Sequence, residues 1–306
     1  MSLNNPMVSI CCLTYNHSAF ISECLDGFLG QKTSFPFEIL IHDDASTDGT
    51  QEIIKDYSEQ YKDVIFPLFE KENQFSKYSG NMDVIFNYSR ARGKYIAYCE
   101  GDDYWTDPLK LQKQVDFLES HPEYSVCFHR CSKLLTQTNE FVEDNCACFF
   151  GNGEDGVDLT MDMFFNSWIT QPLSMVFRRS SFDETWCRRY KYYRDQHEIY
   201  HLLQSGKGYL FGFNGGVYRV HPKGIQSMIS MAEFCAVTLP IDEEFYRINP
   251  SKYSKFYYLN TLQVCIALFA ATSKPKALMY LVRYFWVSKN LKTVYKLFLI
   301  IMRGGN

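Results

Sequence analysis

The sequence predicts an α/β protein in which a mostly parallel central sheet is flanked by helices, with a helical appendage at the C-terminal end. Apolar, β-branched runs alternate with segments of helical periodicity through the first 130 of the 306 residues. Such alternation is typical of a parallel sheet that is covered on both faces. Polar clusters follow three predicted strands where each ends, and the chain beyond Ser230 is helical, aromatic and basic.

Each element is predicted by its own pattern of apolar residues. The predicted strands are residues 8–13, 38–42, 64–69, 94–99 and 126–130. The predicted helices are residues 19–29, 46–61, 81–91 and 108–120. Ser46 or Thr47 is expected to cap the second helix, and Pro108 to open the fourth. Residues 141–224 are irregular, so one domain over 1–230 and a helical segment over 231–306 are predicted.

Composition favours a cytoplasmic protein. The 11 cysteines are odd in number and mostly isolated in apolar segments, which predicts reduced thiols. No cleavable signal peptide is expected after Met1, and the glycosylation sequons at Asn16 and Asn87 are therefore interpreted as chance matches. Nothing in the sequence predicts a nucleic-acid partner.

The net charge of −4 hides an asymmetry between the two ends of the chain. Beyond Glu244 there are ten Lys and Arg and no Asp or Glu, so this tail carries +10 and leaves −14 for the first 244 residues. Residues 275–303 combine Trp, Phe, Leu and Lys at roughly helical spacing. Two interpretations stay open: a helix lying on an anionic membrane surface, or a helix packed on the protein with solvated lysines.

Three carboxylates stand within four residues directly after the fourth predicted strand, at Glu100, Asp102 and Asp103. Crowded carboxylates repel one another unless a cation lies between them. Mg²⁺ or Mn²⁺, bound by one or two carboxylates and the phosphates of a substrate, would relieve the repulsion. A solvated acidic turn is the alternative, and Asp43 and Asp44 at a neighbouring strand end favour the site.

Three stretches resemble the family 2 glycosyltransferases, inverting enzymes with the GT-A fold. They are residues 9–16 (SICCLTYN), residues 38–50 (EILIHDDASTDGT) and residues 93–103 (GKYIAYCEGDD). The resemblance spans roughly residues 7–130, which it implies are the nucleotide-sugar-binding half, with residues 131–230 as the acceptor and catalytic half. Residues 217–227 also resemble a stretch of bacterial members, and a surface-polysaccharide type is implied.

The resemblance assigns roles to individual residues. The nucleotide-binding residues that it implies are Thr14, Tyr15, Asn16, Asp43, Asp44 and Asp102. It implies Mn²⁺ or Mg²⁺ as cofactor, with Asp103 as the main ligand and Asp102 nearer the ribose. Glu100 stands where the family pattern has its first Asp. The implied partners are a nucleotide sugar, with UDP favoured, and a glycan or polyprenyl-linked acceptor at the inner face of a membrane.

The segment from Tyr193 to His201 offers two functional interpretations. His197-Glu198-x-x-His201 matches the helix of zinc proteases, but the third ligand of the extended motif is missing, since Lys207 stands there. Asp195 precedes the motif at a predicted helix start. The resemblance implies that it is the general base, and capping of the helix is the alternative.

Four further residues are assigned to the diphosphate or the sugar. Arg219 and His221 are able to stabilise anionic charge, although a strand edge with a surface histidine is the alternative. Trp168 and Ser174 are predicted to line the sugar or acceptor pocket. Gly151-x-Gly153-x-x-Gly156 matches a dinucleotide fingerprint, but Glu154 and Asp155 would repel a pyrophosphate and indicate an acidic turn.

Two other functions remain as alternatives. A nucleotidyltransferase that makes sugar nucleotides would need a Gly-rich, Lys- or Arg-bearing loop after the first strand, and residues 14–18 contain neither. A non-catalytic carbohydrate-binding relative would be expected to lose the metal carboxylates or the base, and this chain has candidates for both.

Overall fold

The computed structural model describes residues 5–78, 82–150, 155–167, 169–222, 224 and 230–304. The chain divides into two compact units. The first is Met1–Arg188 with Tyr193–His221, and the second is Arg189–Tyr192 with Pro222–Asn306.

The first unit contains ten strands and eight α-helices within its described residues. The strands are β1 Val8–Thr14, β2 Phe37–Asp43, β3 Ile65–Phe69, β4 Tyr95–Tyr98, β5 Tyr104–Trp105, β6 Tyr124–Leu135, β7 Glu140–Val142, β8 Gly156–Leu159, β9 Val176–Arg178 and β10 Lys207–Val220. The helices are α1 Ile21–Leu29, α2 Thr50–Gln60, α3 Phe75–Tyr78, α4 Met82–Phe86, α5 Lys110–Ser120, α6 Met161–Asn166, α7 Glu184–Cys187 and α8 Asp195–Ser205.

All ten strands form one sheet in the order β3-β2-β1-β4-β9-β6-β10-β5, with β7 added to β6 and β8 to β10. Strands β3, β2, β1 and β4 are mutually parallel, and β6 is parallel to β10. Strand β9 runs antiparallel between β4 and β6, so these two groups point the same way. The prediction of a mostly parallel sheet is confirmed. The carboxyl ends of β1, β2 and β4 therefore lie side by side.

The first strand is buried on both faces, which explains its continuous apolar sequence. On one face, Val8, Ile10 and Cys12 belong to the main core. Helix α1 packs into the same core through four buried residues at helical spacing: Ile21, Cys24, Leu25 and Phe28.

A lysine is buried within this first unit. Lys110, the first residue of α5, is fully buried, and its Nζ lies 3.7 Å from the centroid of the Trp105 ring. Burial lowers the pKa of Lys110 to about 7, although the nearby Cys99 and Cys127 act in the opposite direction. The face of the indole ring stabilises the charged amine and offsets part of the desolvation.

Two predicted helix starts are wrong. Helix α2 begins after Gly49, whose φ of 99° suits glycine, and the Asp48 carboxylate accepts the first free N–H, from Thr50. Ser46 does not cap the helix, because it lies before the Gly49 N-cap and its oxygen accepts from the Asn16 N–H instead. Helix α5 begins at Lys110 rather than at the predicted Pro108.

Other predicted bounds also shift. The predicted helix 81–91 is α4 followed by a 3-10 turn at Tyr88–Arg90, and residue 81 lies outside the described residues. The strand predicted at 126–130 extends over Tyr124–Leu135, because β10 pairs along nearly its whole length.

The second unit is a helical assembly with its own core. Its helices are α9 Met231–Ile248, α10 Lys252–Thr272, α11 Lys274–Ser288 and α12 Leu291–Arg303. Helix α10 packs against the other three. The buried residues are Cys235, Leu239, Tyr258, Leu262, Cys265, Ile266, Ala270, Ala277, Leu281, Tyr284, Leu297 and Ile301. Among the described residues, no helix has the length and apolar character needed to span a bilayer.

Replacement of Gly93 by alanine should destabilise the first unit. A Cβ at Gly93 would lie 2.5 Å from the Ser9 nitrogen and 2.7 Å from the Val8 carbonyl carbon, and backbone atoms of a central strand cannot move aside. We expect a loss of about 1–3 kcal/mol in the free energy of unfolding, measured by urea denaturation. Gly49→Ala is the control for backbone strain alone, since no atom lies within 4 Å of its added Cβ. Unaltered stability of Gly93→Ala would contradict the packing.

Candidate functional site

The candidate site is built on the carboxyl edge of the sheet. Thr14 ends β1 opposite Asp43, which ends β2. The segment that follows β4 returns to β1, where the Gly101 N–H donates to the Leu13 carbonyl at 2.8 Å. A Cβ at Gly101 would lie 2.8 Å from Thr14 Oγ1, so glycine permits this approach. The Thr14 hydroxyl is buried and has no hydrogen-bond partner among the described residues.

Asp43 and Asn16 join the loops that follow β1 and β2. The buried Asp43 carboxylate accepts hydrogen bonds from the Ser46 N–H at 2.9 Å, the Ser46 hydroxyl at 2.5 Å and Gln51 Nε2 at 2.5 Å. Asn16 has a positive φ of 56°; its N–H donates to Ser46 Oγ, and its Oδ1 accepts from the Thr47 N–H. Both side chains are therefore occupied in shaping the floor of the site.

Asp44 and Tyr15 differ in their surroundings. The Asp44 carboxylate is buried and accepts from the Gln74 N–H at 2.5 Å, the Phe75 N–H at 3.1 Å and Asn73 Nδ2 at 2.8 Å. It thereby fixes the start of α3. Tyr15 is exposed at the rim of the same edge.

Glu100, Asp102 and Asp103 meet as predicted. Each offers an oxygen, and these oxygens all lie within 4.8 Å of one another. Burial and the negative charges of Asp102 and Asp195 raise the pKa of Glu100 to about 8. Burial, followed by the charge of Asp102, also raises the pKa of Asp103. The Arg219 N–H donates to Asp103 Oδ1 at 2.8 Å.

Asp102 is held between two histidines. Its Oδ2 lies 3.0 Å from Nε2 of His221 and 3.7 Å from Nε2 of His17. Burial alone would raise the pKa of Asp102, but the hydrogen bond with His221 and the charge of His17 lower it overall. His17 was not predicted as a site residue; it directly follows the Thr-Tyr-Asn motif, which is the one signal that could have identified it.

The donor set fits a divalent cation. Three carboxylates supply hard oxygen ligands of the kind that Mg²⁺ and Mn²⁺ prefer. Asp102 Oδ1 is buried and has no hydrogen-bond partner among the described residues, so one oxygen remains available for a ligand. Burial, followed by repulsion from Asp102, raises the pKa values of Glu100 and Asp103, and the charge of a bound cation would offset both effects.

Arg219 braces the acidic segment. Its guanidinium is buried, pairs with Glu23 and donates to the Asp102 carbonyl at 2.5 Å. The ring centroids of Tyr104 and Phe20 lie 4.2 and 5.1 Å from it. The charge of Arg219 therefore stabilises the loop that carries the carboxylates.

Ser174 and Trp168 complete the predicted set. Ser174 is buried in the 3-10 turn that leads into β9, and its hydroxyl donates to the Gln171 carbonyl at 2.7 Å. That turn enters the sheet at the carboxyl edge because β9 is antiparallel to β4. Trp168 lies outside the described residues.

Asp195 is the first residue of α8, with Arg194 at the N-cap position. Its half-buried Oδ1 accepts from the Gln196 N–H at 2.9 Å. Burial raises the pKa of Asp195. Its own charge raises the pKa of Glu100 and of Tyr218, and Tyr218 is also influenced by Asp103, so Asp195 shares the electrostatic field of the carboxylate cluster.

The His-Glu-x-x-His motif packs into the first unit. His197 Nδ1 accepts from the Arg194 N–H at 3.0 Å, and burial lowers the pKa of His197 to about 3. His201 contacts the Trp186 ring. Within the part of the chain that the structure describes, the one cluster of three side chains able to hold a metal ion is Glu100 with Asp102 and Asp103.

A buried polar network beneath the cluster was not predicted. Glu198 accepts a hydrogen bond from the Tyr88 hydroxyl at 2.8 Å, and burial raises the pKa of Glu198 to about 8. Asp83 on α4 is part of the same network, and burial with the charges of Glu198 and Glu100 raises its pKa well above the usual value. The Tyr98 hydroxyl donates to Glu100 at 3.2 Å.

The family model described as glycosyl transferase family 2 matches residues 9–186. The chain belongs to this family. It is 50% identical over 178 residues to the uncharacterized protein Rv1520 of Mycobacterium tuberculosis, covering 58% of this chain and 49% of that protein. A Bacillus subtilis protein, TuaG, whose name provisionally assigns it as a teichuronic acid biosynthesis glycosyltransferase, is 34% identical over 37% of this chain and 42% of its own. The chain spans about half the length of the curated relatives it matches.

Solved structures confirm the GT-A-like fold. TarS 1–349 of S. aureus, in complex with UDP-GlcNAc, superimposes with a TM-score of 0.64 at 15% identity, covering 92% of this chain and 81% of that one. A mannosyltransferase of Pyrobaculum calidifontis, PcManGT, in complex with GDP-Man and Mn²⁺, gives a TM-score of 0.52 at 15% identity over 99% and 87% of the two chains.

Glu198→Gln should change how stability depends on pH. Because the pKa of Glu198 is raised to about 8 in the folded protein, the folded state keeps a proton that the unfolded state loses above about pH 4.3. Stability contributed by the protonated acid is therefore lost as pH rises from about 5 to 8. Relative to the parent, we expect the variant to gain up to about 1.4 kcal/mol per pH unit over this window, measured by urea denaturation.

The control for this experiment is Glu59→Gln, at an exposed position of α2. The difference in the free energy of unfolding between Glu59→Gln and the parent should stay constant with pH. If the difference between Glu198→Gln and the parent is equally constant, the Glu198 side chain is not held protonated in the folded protein.

Proposed function

We propose that the protein is an inverting glycosyltransferase that moves a sugar from a nucleotide-diphosphate donor to a hydroxyl group of an acceptor. The observation that carries the proposal is the meeting of three carboxylates, Glu100, Asp102 and Asp103, at the sheet edge where Asp195 also contributes its charge. This combination provides a site for a cation at the leaving group and a separate base for the acceptor.

The donor would lie over the ends of β1 and β2. The unpartnered Thr14 hydroxyl and the Asp44 carboxylate offer polar contacts, and Tyr15 offers an exposed ring. Asp43 and Asn16 would act indirectly by fixing the loops beneath the nucleotide. The complexes of the structural neighbours with UDP-GlcNAc, UDP and GDP-Man support a nucleotide sugar, with UDP favoured.

Glu100, Asp102 and Asp103 would hold Mg²⁺ or Mn²⁺. The bound ion supplies Lewis-acid stabilisation of the negative charge that grows on the departing diphosphate. His221, bonded to Asp102, and His17 orient that carboxylate from the protein side. Arg219 keeps the segment in place through the Asp102 carbonyl and the Asp103 side chain.

Asp195 would be the general base. In an inverting transfer, the acceptor oxygen forms its bond to the anomeric carbon on the face opposite the diphosphate, whose oxygen leaves with the bonding electron pair. The proton of the acceptor hydroxyl passes to the Asp195 carboxylate. Burial raises the pKa of Asp195, which makes its carboxylate a stronger base than that of an exposed aspartate.

The acceptor is proposed to be a glycan or lipid-linked sugar. The name of TuaG places that relative in teichuronic acid biosynthesis. Trp168 and Ser174 are proposed to line the sugar or acceptor pocket. The protein is proposed to work in the cytoplasm, at the inner face of a membrane. The pocket residues are proposed because aromatic faces suit sugar rings. The location is proposed from the isolated cysteines and the basic C-terminal segment.

Asp195→Asn tests the base. The amide cannot accept the proton, so we expect transfer to fall by about 10²–10⁴-fold with nucleotide-sugar affinity unchanged. Transfer is measured as sugar incorporated into acceptor, and donor affinity by titration calorimetry. Asp116→Asn, at an exposed position of α5, is the matched control and should keep full activity. Undiminished turnover of Asp195→Asn would rule out the assignment.

Asp103→Asn tests the cation site. The asparagine oxygen is still able to accept from the Arg219 N–H, while the site loses one negative charge. We expect the thermal stabilisation of the parent by Mn²⁺ with a UDP-sugar to be lost in the variant, since a ligand stabilises only what it binds.

A panel of UDP- and GDP-sugars in the same assay identifies the donor class. Stabilisation by nucleoside triphosphate with sugar 1-phosphate, but by no nucleotide sugar, would favour a nucleotidyltransferase instead. Donor binding without transfer or hydrolysis would indicate a binding protein.

A further inference from the structure

The last two helices of the second unit each leave one apolar stripe exposed. On α12, the exposed residues recur at intervals of four, three and four, which places them on a single face. They are Leu291, Tyr295, Phe298 and Met302. On α11, the exposed apolar residues also share one side of the helix: Leu278, Met279, Val282 and Trp286.

These stripes are distinct from the packed faces of the same helices. Ala277, Leu281 and Tyr284 of α11, and Leu297 and Ile301 of α12, are buried in the core of the second unit. The three most exposed residues of the stripes are Trp286 at 65%, Leu291 at 71% and Tyr295 at 63%. Large apolar side chains seldom cluster like this on a solvent-exposed surface unless that surface binds a partner.

The charges beside the stripes all have one sign. Residues 274–303 contain seven Lys and Arg and no acidic residue. Lys292, Lys296 and Arg303 are exposed and lie together on the flank of the α12 stripe. Lys289 Nζ lies 4.3 Å from the Trp286 ring centroid. Arg283 is paired with Glu243, at 3.5 Å, so it contributes less to the local field.

We infer that α11 and α12 lie on the surface of an anionic lipid bilayer, with both apolar stripes inserted at the headgroup level. Trp and Tyr are the side chains that favour this interface, because their rings are apolar at one end and polar at the other. Lysines on the flank reach the lipid phosphates while their carbon stems cover apolar surface. The inference stands apart from the proposed reaction, since it concerns a different unit and requires neither donor nor acceptor.

The uniform positive charge of residues 274–303 favours an anionic bilayer, rather than a second copy of the chain, as the partner of the two stripes. Two such faces brought together would repel each other, whereas a bilayer of anionic lipids attracts each lysine. The packed core beneath the stripes means that the helices are already folded before they meet the bilayer. Binding therefore does not require the folding that isolated amphipathic peptides undergo.

Vesicle co-sedimentation of the full chain tests the inference. We expect sedimentation with vesicles of phosphatidylcholine containing about a third phosphatidylglycerol, and little with phosphatidylcholine alone. Lys292→Gln with Lys296→Gln should weaken binding roughly thirtyfold. Trp286→Ser with Tyr295→Ser should weaken it by about tenfold or more. Binding should also decline as the salt concentration rises.

Two controls show that the effects belong to these helices. Lys62→Gln with Lys71→Gln removes two exposed lysines from the first unit, and Phe256→Ser removes an exposed ring from α10. Both should leave sedimentation unchanged, and thermal melts should show every variant folded, since the substituted side chains are exposed.

Failure of the parent to sediment with anionic vesicles would overturn the inference, as would equal binding to neutral vesicles. A concentration-dependent dimer that is lost in Trp286→Ser with Tyr295→Ser, without vesicle binding, would assign the stripes to self-association instead.

Discussion

Repulsion among Glu100, Asp102 and Asp103 is the constraint on which the site depends. Their oxygens lie within 4.8 Å of one another at the end of a buried strand, where desolvation strengthens every interaction between charges. The backbone holds them there through the hydrogen bond of Gly101 to β1. The stability of the neighbouring strands therefore supports a local arrangement that is unfavourable by itself.

One arginine and two histidines stabilise the acidic segment, and their contacts centre on Asp102. Arg219 pairs with Glu23 and the Asp102 carbonyl, and His221 with His17 approaches Asp102. Glu100 and Asp103 have no such neighbouring cation in the described structure, and their pKa values are raised. The pKa of Asp102 is lowered, whereas the pKa values of Glu100 and Asp103 are raised, because their surroundings differ.

The sequence predicted the part of the fold in which each strand carries its own signal. Strands β1, β2 and β4 are buried on both faces, so they appear as continuous apolar runs, and the residues after them had to share an edge. The proximity of Thr14, Asp43 and the acidic segment after β4 followed from that topology. The predicted cap of the second helix was wrong because Ser46 is held in the preceding loop by Asn16 and Asp43, contacts that no helix pattern encodes.

The buried network could not be predicted from the sequence for a related reason. Asp83 lies on a five-residue helix, where a lone carboxylate resembles a solvated surface residue. In the structure burial raises its pKa, and so does the charge of Glu198, more than a hundred residues away in sequence. The same holds for Arg219, which resembled a phosphate ligand in the sequence and pairs with Glu23 in the structure. Pairings between distant residues leave no local pattern.

Lys110 places an amine that titrates near neutral pH in the interior of the first unit. With a pKa near 7 and Nζ against the face of Trp105, this amine gains or loses its charge within the range of pH at which the protein would work. The electronic transitions of an indole respond to a charge on its face. Trp105 is therefore an intrinsic spectroscopic probe of the protonation state of the core, in a position that solvent and surface ions do not reach.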